Sequence, residues 1–364
     1  MKQLNVDLGD RSYPIYIGDG IIEQIGSYFA KHQISSRSPI MVITDDNVAS
    51  LHLKKVTTHL LESGYKVVEY IVPAGEMSKS LSVLEQIIGK ALDAGLDRTS
   101  TIIALGGGVV GDLAGFVAAS FMRGVKFVQI PTTILAHDSS VGGKVAVNHP
   151  KAKNIIGAFH QPQIVLYDTS TLKTLPEREI KAGLSEMIKH GLIWDAEFSK
   201  WIDENAEKLL SLDAEALEYG LYNGCKIKSH VVSEDEREHG LRAILNFGHT
   251  IGHALEAVAH YNQLLHGEAI AIGMVGAAKL SVRLGYPERI YTETKAAMKK
   301  YGLPIQIPGH LDIDEIMKAM LHDKKFKEGK VVFTILKDIG EAHIQSGISI
   351  DLIREIVEEL RWEE

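Results

Sequence analysis

Cysteine is nearly absent: Cys225 is alone among 364 residues. One thiol cannot close an intrachain disulfide or build a cysteine zinc cluster, so a disulfide-framed module and a zinc ribbon are both excluded. A buried, inert thiol is the expected role. Long apolar runs are missing too, and none approaches the ~18 residues of a membrane-spanning helix. The opening stretch MKQLNVDLGDRSYPIYIG lacks a signal-peptide core and alternates like a pair of strands, so the expected location is the cytoplasm. Nor is there a surplus of positive charge. Lys and Arg number 39 against 47 Asp and Glu, a net charge of -8, which argues against a nucleic-acid surface. Repeats and low-complexity segments are lacking. What remains is an ordinary globular composition, 45% hydrophobic and 24% charged, in a chain long enough for two domains.

Leu4–Leu8 and Tyr13–Ile17 read as a hairpin. Ile40–Thr44, Lys66–Val72, Thr101–Leu105, Val125–Ile130 and Gln163–Tyr167 read as strands, with helices such as Ser82–Ala94 between them. Such alternation predicts a mainly parallel sheet with helices on both faces. Beyond about Leu175 helix follows helix, interrupted by one hairpin at Val331–Leu336 and Glu341–Ile344. The boundary is placed at Leu175–Pro176, giving domains 1–175 and 176–364.

The densest chemistry lies in Leu241–Val258, LRAILNFGHTIGHALEAV. Arg242, Asn246, His249 and His253 are spaced four, three and four apart, which places them on one stripe of a helix. Glu238 continues the line. Nearly everything off the stripe is apolar or small, so the stripe faces water or a cleft. Arg, Asn and His are groups that bind anions and coordinate metals. His266 opens the next helix, and Glu186 lies with Lys189 in another apolar helix. Glu186 and Lys189 could form a surface ion pair. One carboxylate with two histidines is also a common catalytic zinc set, with positions left open for substrate.

Two loops suggest bound phosphates. Gly106-x-Gly108-x-x-Gly111 follows a strand and opens a helix, so its backbone amides could close on a pyrophosphate. A tight strand–helix turn would explain the same glycines. Nucleotide binding is favoured by other polar groups that follow strands: Asp45-Asp46-Asn47, Glu76, Lys79, Thr132 and Thr133. Asp138-Ser-Ser-Val-Gly-Gly-Lys144 lacks the leading glycine and the final hydroxyl of an ATPase phosphate loop. The runs 233–238 and 322–327 read as solvated charge. A nucleotide, one metal with nitrogen and oxygen ligands, and cations at Arg123, Lys144, Lys189, Lys228 and Arg242 point to a small, polyhydroxylated, anionic substrate.

The motifs GGGVVGD (Gly106–Asp112), FMRGV (Phe121–Val125), PTT (Pro131–Thr133), DSSVGGK (Asp138–Lys144), KNIIGAF (Lys153–Phe159), GLSEMIKHGLI (Gly183–Ile193), DERE (Asp235–Glu238), GLRAILNFGHTIGHALE (Gly240–Glu256), LHGEAIAIGM (Leu265–Met274) and DKK (Asp323–Lys325) closely resemble those of the 3-dehydroquinate synthases, a family of sugar phosphate cyclases. The resemblance implies a Rossmann-like, NAD-binding α/β domain followed by an all-α domain for metal and substrate, with the site in the cleft between. It implies Glu186, His249 and His266 as ligands of zinc, or of cobalt in its place. Asp138, Lys144, Asn154, Lys189, Lys228, Arg242 and Asn246 would hold substrate, and His253 would handle a proton or touch phosphate. Arg123 would reach the substrate phosphate from the partner of a homodimer. Asn47, Glu76, Lys79, Gly107, Gly108, Val109, Val110, Gly111, Asp112, Thr132, Thr133, Lys144, Lys153, Thr171 and Thr174 would hold NAD. The implied reaction converts 3-deoxy-D-arabino-heptulosonate 7-phosphate to 3-dehydroquinate and phosphate, in the shikimate route to aromatic amino acids. It proceeds by transient oxidation with NAD, phosphate elimination, re-reduction and aldol closure. Another sugar phosphate cyclase and a metal-dependent polyol dehydrogenase share the same layout. The stretch Ile134–His137 is one residue shorter than the family's usual run before Asp-Ser-Ser.

Overall fold

The computed structural model describes residues 1–260, 263–322, 326–327 and 330–362. The Asp323–Lys325 motif, with Lys324 and Lys325, lies outside the described residues. Two compact units emerge: Met1–Leu175 with Leu217–Ser233, and Pro176–Ala216 with Glu234–Glu364. A single cut at 175/176 does not provide for the first unit's share of the Ala214–Glu234 helix. That share is held by bonds to the unit's own loops and strands: Cys225 Sγ donates to the His137 carbonyl and Ser229 Oγ to that of Asn5.

In the first unit, β1 (Lys2–Val6), β2 (Tyr13–Gly18), β3 (Ile40–Asp45), β4 (Val67–Val72), β5 (Thr101–Gly106), β6 (Lys126–Pro131) and, after a separate β7 (Lys144–His149) and β8 (Ala152–Phe159), β9 (Ile164–Asp168) are the strands. Seven of them form one sheet in the order β1-β2-β9-β6-β5-β3-β4. All pairings are parallel except β1 with β2 at one edge, the hairpin read from the alternating N-terminus. The apolar runs of β3 and β5 explain their central place. Ile40 and Val42 of β3, with Ile103 and Leu105 of β5, enter the core on one face. Met41 and Ile43, with Ile102 and Ala104, enter the core on the other. A strand whose side chains alternate between two buried faces must be apolar at every position.

Parallel strands bring their carboxyl ends to one edge of the sheet, where ligands of such sheets collect. β3 ends on Asp45, whose carboxylate accepts from Val48 N–H at 2.9 Å and caps the next helical turn. β9 ends on Asp168, fully buried, which accepts from the backbone N–H groups of Gly20 (2.9 Å), Ile22 (3.1 Å) and Ser170 (3.0 Å) and from the Ser170 hydroxyl (2.6 Å). β7 and β8 form a two-stranded antiparallel sheet of their own. The region from Lys144 to Phe159 is therefore a hairpin. Its legible signal was the alternation Val145-Ala-Val147 before an Asn148-His-Pro turn.

The second unit is mainly helical but not all-α, because β10 (Phe326–Lys327), β11 (Lys330–Asp338) and β12 (Glu341–Ile348) form a three-stranded antiparallel sheet. The late hairpin was read correctly, but its strands are longer than expected. Leu336 N–H donates to Ser281 Oγ at 3.0 Å and Thr334 Oγ1 to the Ala243 carbonyl at 2.9 Å, so the sheet is fastened to the helices. The helices that matter below are Glu177–Trp194, His249–Val258 and His266–Arg283.

Candidate metal and nucleotide sites

The expected single helix over 241–258 is two elements. Leu241–Asn246 is a 3-10 turn, and the α-helix begins at His249. The break falls at Gly248, whose φ of +80° belongs to the left-handed region that glycine enters without strain. The neighbouring helix passes close here. A Cβ on Gly248 would stand 2.8 Å from the Met274 backbone nitrogen, and one on Gly273 would stand 1.9 Å from the Gly248 carbonyl oxygen. Close approach of two backbones, not loss of helical propensity, interrupts the stripe.

The interruption leaves His249 as the first residue of its helix, and His266 is the first residue of the next. Glu186 sits mid-helix in the third, 1% exposed. The candidate ligand atoms of these three residues all lie within 4.8 Å of one another. Glu186 Oε1 is 3.6 Å from His249 Nε2 and 3.6 Å from His266 Nε2. Gly267 makes the convergence possible: a Cβ there would lie 1.9 Å from the Ala182 carbonyl oxygen on the Glu186 helix. Both imidazoles are anchored from behind, His249 Nδ1 on the Phe247 carbonyl and His266 Nδ1 on Glu256 Oε2, each at 3.1 Å. Ligating histidines are held this way so that the other nitrogen faces the metal. Two imidazoles and a carboxylate oxygen suit zinc or cobalt.

Lys189 Nζ contacts Glu186 Oε2, so the ion pair and the metal set are not alternatives: each uses a different oxygen of one carboxylate. Burial, followed by the nearby Lys189 charge, pushes the His249 pKa well below its usual value and keeps the ring neutral, the form that coordinates. For His266 burial also opposes the charge, but Glu256 and Glu186 outweigh it and raise the pKa to about 10. His253 stands edge-on to His249, ring centroids 5.2 Å apart, and 6.0 Å from His266. His190 is fully buried.

Arg242 is 2% exposed and held by its own neighbours. Its Nη1 donates to the Glu236 carbonyl, and its backbone N–H to Asp235 Oδ2 at 3.1 Å. Asp235 also accepts from His239 and Gly240 N–H, and Asn246 Nδ2 donates to Glu238 Oε1 at 2.9 Å. The charge run at 233–238 is thus not merely a solvated face: it builds the loop that holds Arg242.

In the first unit the glycine motif opens the Gly108–Ser120 helix, with Gly107 at the N-cap and no side chain capping it. Amides at such an end are the usual partners of a phosphate. The glycines are also required by packing. A Cβ on Gly107 would lie 3.0 Å from Thr133 Cγ2, and one on Gly106 2.7 Å from Val110 Cβ. Thr132 N–H donates to the Gly106 carbonyl at 3.1 Å, tying the two loops together. The Thr132 hydroxyl is buried and has no hydrogen-bond partner among the described residues, which suits a polar ligand at this loop. Val109 and Gly111 lie in the first turn of the helix and Val110 is buried beneath it.

Lys79 is 4% exposed and bridges Asp112 Oδ2 (2.7 Å) and Asn154 Oδ1 (2.6 Å). Burial works against its charge, but Asp112 and Glu76 hold its pKa above the ordinary lysine value. Asn148, which the sequence did not single out, ties this group together: it donates to Glu76 Oε1 at 2.8 Å and accepts from Asn154 N–H at 2.8 Å. Lys153 Nζ is 3.8 Å from Glu76 Oε2. Lys228 Nζ donates to Asp138 Oδ2 (2.7 Å) and to the Asp138 carbonyl (2.6 Å). His137 is buried, its Nδ1 2.6 Å from the Ile134 carbonyl, a packing role. Burial raises the Cys225 thiol to about 12, so it is inert at neutral pH.

The remaining candidates are less gathered. Asn47 and Lys144 are exposed, at the ends of strand-following and strand-opening turns. Thr171 Oγ1 donates to the Asp168 carbonyl, and Thr174 Oγ1 to the Thr171 carbonyl, both at 2.8 Å. Thr174 Oγ1 also lies 3.0 Å from His52 Nε2. Arg123 is exposed with φ +68°, in the Phe121–Arg123 turn that follows the Gly108–Ser120 helix.

Two family descriptions match the chain: 3-dehydroquinate synthase N-terminal over residues 69–182 and 3-dehydroquinate synthase C-terminal over residues 183–326. A 3-dehydroquinate synthase from Desulforamulus reducens is 51% identical over 94% of this chain and 96% of its own. One from Acetivibrio thermocellus is 47% identical over 99% of both. Among solved structures, a 2-deoxy-scyllo-inosose synthase complexed with carbaglucose-6-phosphate, NAD+ and Co2+ superposes with a TM-score of 0.90 at 29% identity, covering 98% of this chain and 99% of that one. A 2-epi-5-epi-valiolone synthase from Streptomyces hygroscopicus with NAD+ and Zn2+ bound shares the fold, with a TM-score of 0.87 at 24% identity over 97% and 98% of the two chains. The chain belongs to the 3-dehydroquinate synthase family.

Proposed function

We propose that this protein converts 3-deoxy-D-arabino-heptulosonate 7-phosphate to 3-dehydroquinate and phosphate, as a phosphate-eliminating carbon–oxygen lyase that depends on NAD and one divalent ion. The observation that carries the reading is the convergence of both histidine Nε2 atoms on one oxygen of Glu186. Membership of the family supports the substrate, and the NAD+ and Co2+ of a sugar phosphate cyclase relative support the cofactors. Bound NAD supplies a hydride acceptor that is restored within each turnover, and a bound divalent ion acidifies a hydroxyl coordinated to it.

This chain's residues take the other tasks. Glu186, His249 and His266 hold the ion. Lys189 neutralises the second oxygen of Glu186 and contributes a cation beside the substrate. Arg242, rigid in its loop, pairs with a substrate anion as a preorganised donor. Asn246, Asp138, Lys228, Lys144 and Asn154 bind the remaining oxygens, and His253 handles a proton or meets the phosphate. Lys79, Asp112, Glu76, Lys153, Asn47, Thr171, Thr174 and the amides at Gly107–Gly111, with the Thr132–Thr133 loop, hold NAD. Arg123 reaches the phosphate of the partner subunit in a homodimer. The assignment of nucleotide binding to the unit of 1–175 with 217–233, and of metal binding to the unit of 176–216 with 234–364, belongs to the same reading. Among the described residues no helix is long and apolar enough to cross a membrane.

The test is direct. Purified protein with the heptulosonate phosphate and catalytic NAD should release inorganic phosphate with no net NADH. Stoichiometric NADH would instead make it a dehydrogenase. His249→Ala should stay folded and lose bound metal together with activity; unchanged metal content would reassign the ligand set.

A further inference from the structure

Glu256, the anchor behind His266, is 4% exposed, and its Oε2 lies 3.1 Å from His266 Nδ1. A buried carboxylate is costly unless hydrogen-bonded, so its position calls for a reason. Neutral imidazole carries one N–H, and a carboxylate can only accept. With a divalent ion in place of the Nε2 proton, Glu256 would accept the remaining proton from Nδ1 and leave Nε2, 3.6 Å from Glu186 Oε1, to coordinate. His249 is set in the same tautomer by a neutral carbonyl, that of Phe247. The group behind His266 is charged and the one behind His249 is neutral.

Helix geometry explains where the carboxylate comes from. His249 and Glu256 are seven residues apart on one helix, hence two turns apart on the same face. That helix presents one ligand itself and, further along, orients the ligand that opens the next helix. We propose that Glu256 is a positioning residue, which fixes the tautomer and ring plane of His266 and strengthens its donation to the divalent ion. The inference rests on the metal site proposed above. It also decides between two readings of the histidines here, because His253, Glu256 and His266 form a second group with ligand atoms within 4.8 Å. At hydrogen-bond length from Nδ1, Glu256 serves the first group and is not itself a ligand.

The test uses the full chain, stripped of metal by a chelator and titrated with Co2+ alone, with visible absorption as the readout of affinity, coordination and stoichiometry. Wild type should bind one ion per chain. Glu256→Ala should weaken binding roughly 10–100-fold, the usual cost of losing such an outer partner, and alter the cobalt spectrum. Glu256→Gln, isosteric and still able to accept from Nδ1, should lose less, and it carries the test if the alanine variant does not fold. In a His266→Ala background the Glu256 substitutions should cost no further affinity, because their effect runs through that ring. Wild-type affinity in Glu256→Ala, an undiminished penalty in the His266→Ala background, or two ions per chain would each overturn the proposal. If His249→Ala also kept full affinity, the metal site itself would fall; if His249→Ala lost metal while Glu256→Ala did not, only this inference would.

Discussion

The Gly267→Ala variant isolates the contact that brings the metal ligands together. The added methyl would stand 1.9 Å from the Ala182 carbonyl oxygen and 2.6 Å from Ser185 Oγ. The serine hydroxyl can rotate away, but Ala182 belongs to the backbone of the helix that carries Glu186. A carbon–oxygen contact relaxes at about 3.3 Å, so the two helices must separate by about 1.4 Å at this point. His266 is the adjacent residue and moves with its neighbour. Metal coordination tolerates errors of about 0.2 Å, several times smaller than that shift. Overpacking of this kind costs about 1–3 kcal/mol, which a chain with this much buried core survives. The expected variant is folded, with near-native circular dichroism, and binds Zn2+ or Co2+ at least ~100-fold more weakly, since one of three ligands is displaced. Equilibrium dialysis against buffered metal measures it. A Gly267→Ala protein with wild-type metal affinity would refute the claim that glycine at 267 sets the spacing of Glu186 and His266.

Other substitutions probe other parts of the argument. Gly89 lies inside the exposed face of the Leu81–Asp93 helix, with nothing within 4 Å of a built Cβ, so Gly89→Ala should raise stability by about 0.5–1 kcal/mol in urea unfolding; a loss would mean that the position is not plainly helical. Asp168→Ala removes the acceptor of four hydrogen bonds at the end of β9 and should cost about 3 kcal/mol or more by denaturant titration, with Asp168→Asn intermediate. Arg242→Ala should raise the substrate KM far more than the Kd for NAD, and equal loss of both would remove the arginine from its assigned place.

Much of this protein was legible in its residues. The alternating N-terminus specified the antiparallel edge pair, and the fully apolar Ile40–Thr44 and Thr101–Leu105 runs specified central parallel strands, because only a strand buried on both faces tolerates such a composition. That Glu186 and the histidines of the apolar helices could offer a metal set was legible as well; the choice of His249 and His266 came from the family resemblance, and the fold brings the ligand atoms of these three within 4.8 Å of one another. Periodicity misled where two backbones touch: it ran one helix through Gly248, whereas contact with the Gly273 region broke it and put His249 at a helix start. Charge patterning likewise read Asp235 as solvated, although three backbone N–H groups converge on it. The Lys79–Asp112–Asn154 bridge joins residues far apart in the chain, and the support of His266 by Glu256 joins two successive helices across a turn. Local sequence determines which groups a segment can offer and which face it buries. Which of those groups meet is decided by the packing of whole elements, through contacts such as Gly267 against Ala182 that leave no periodic mark in the chain.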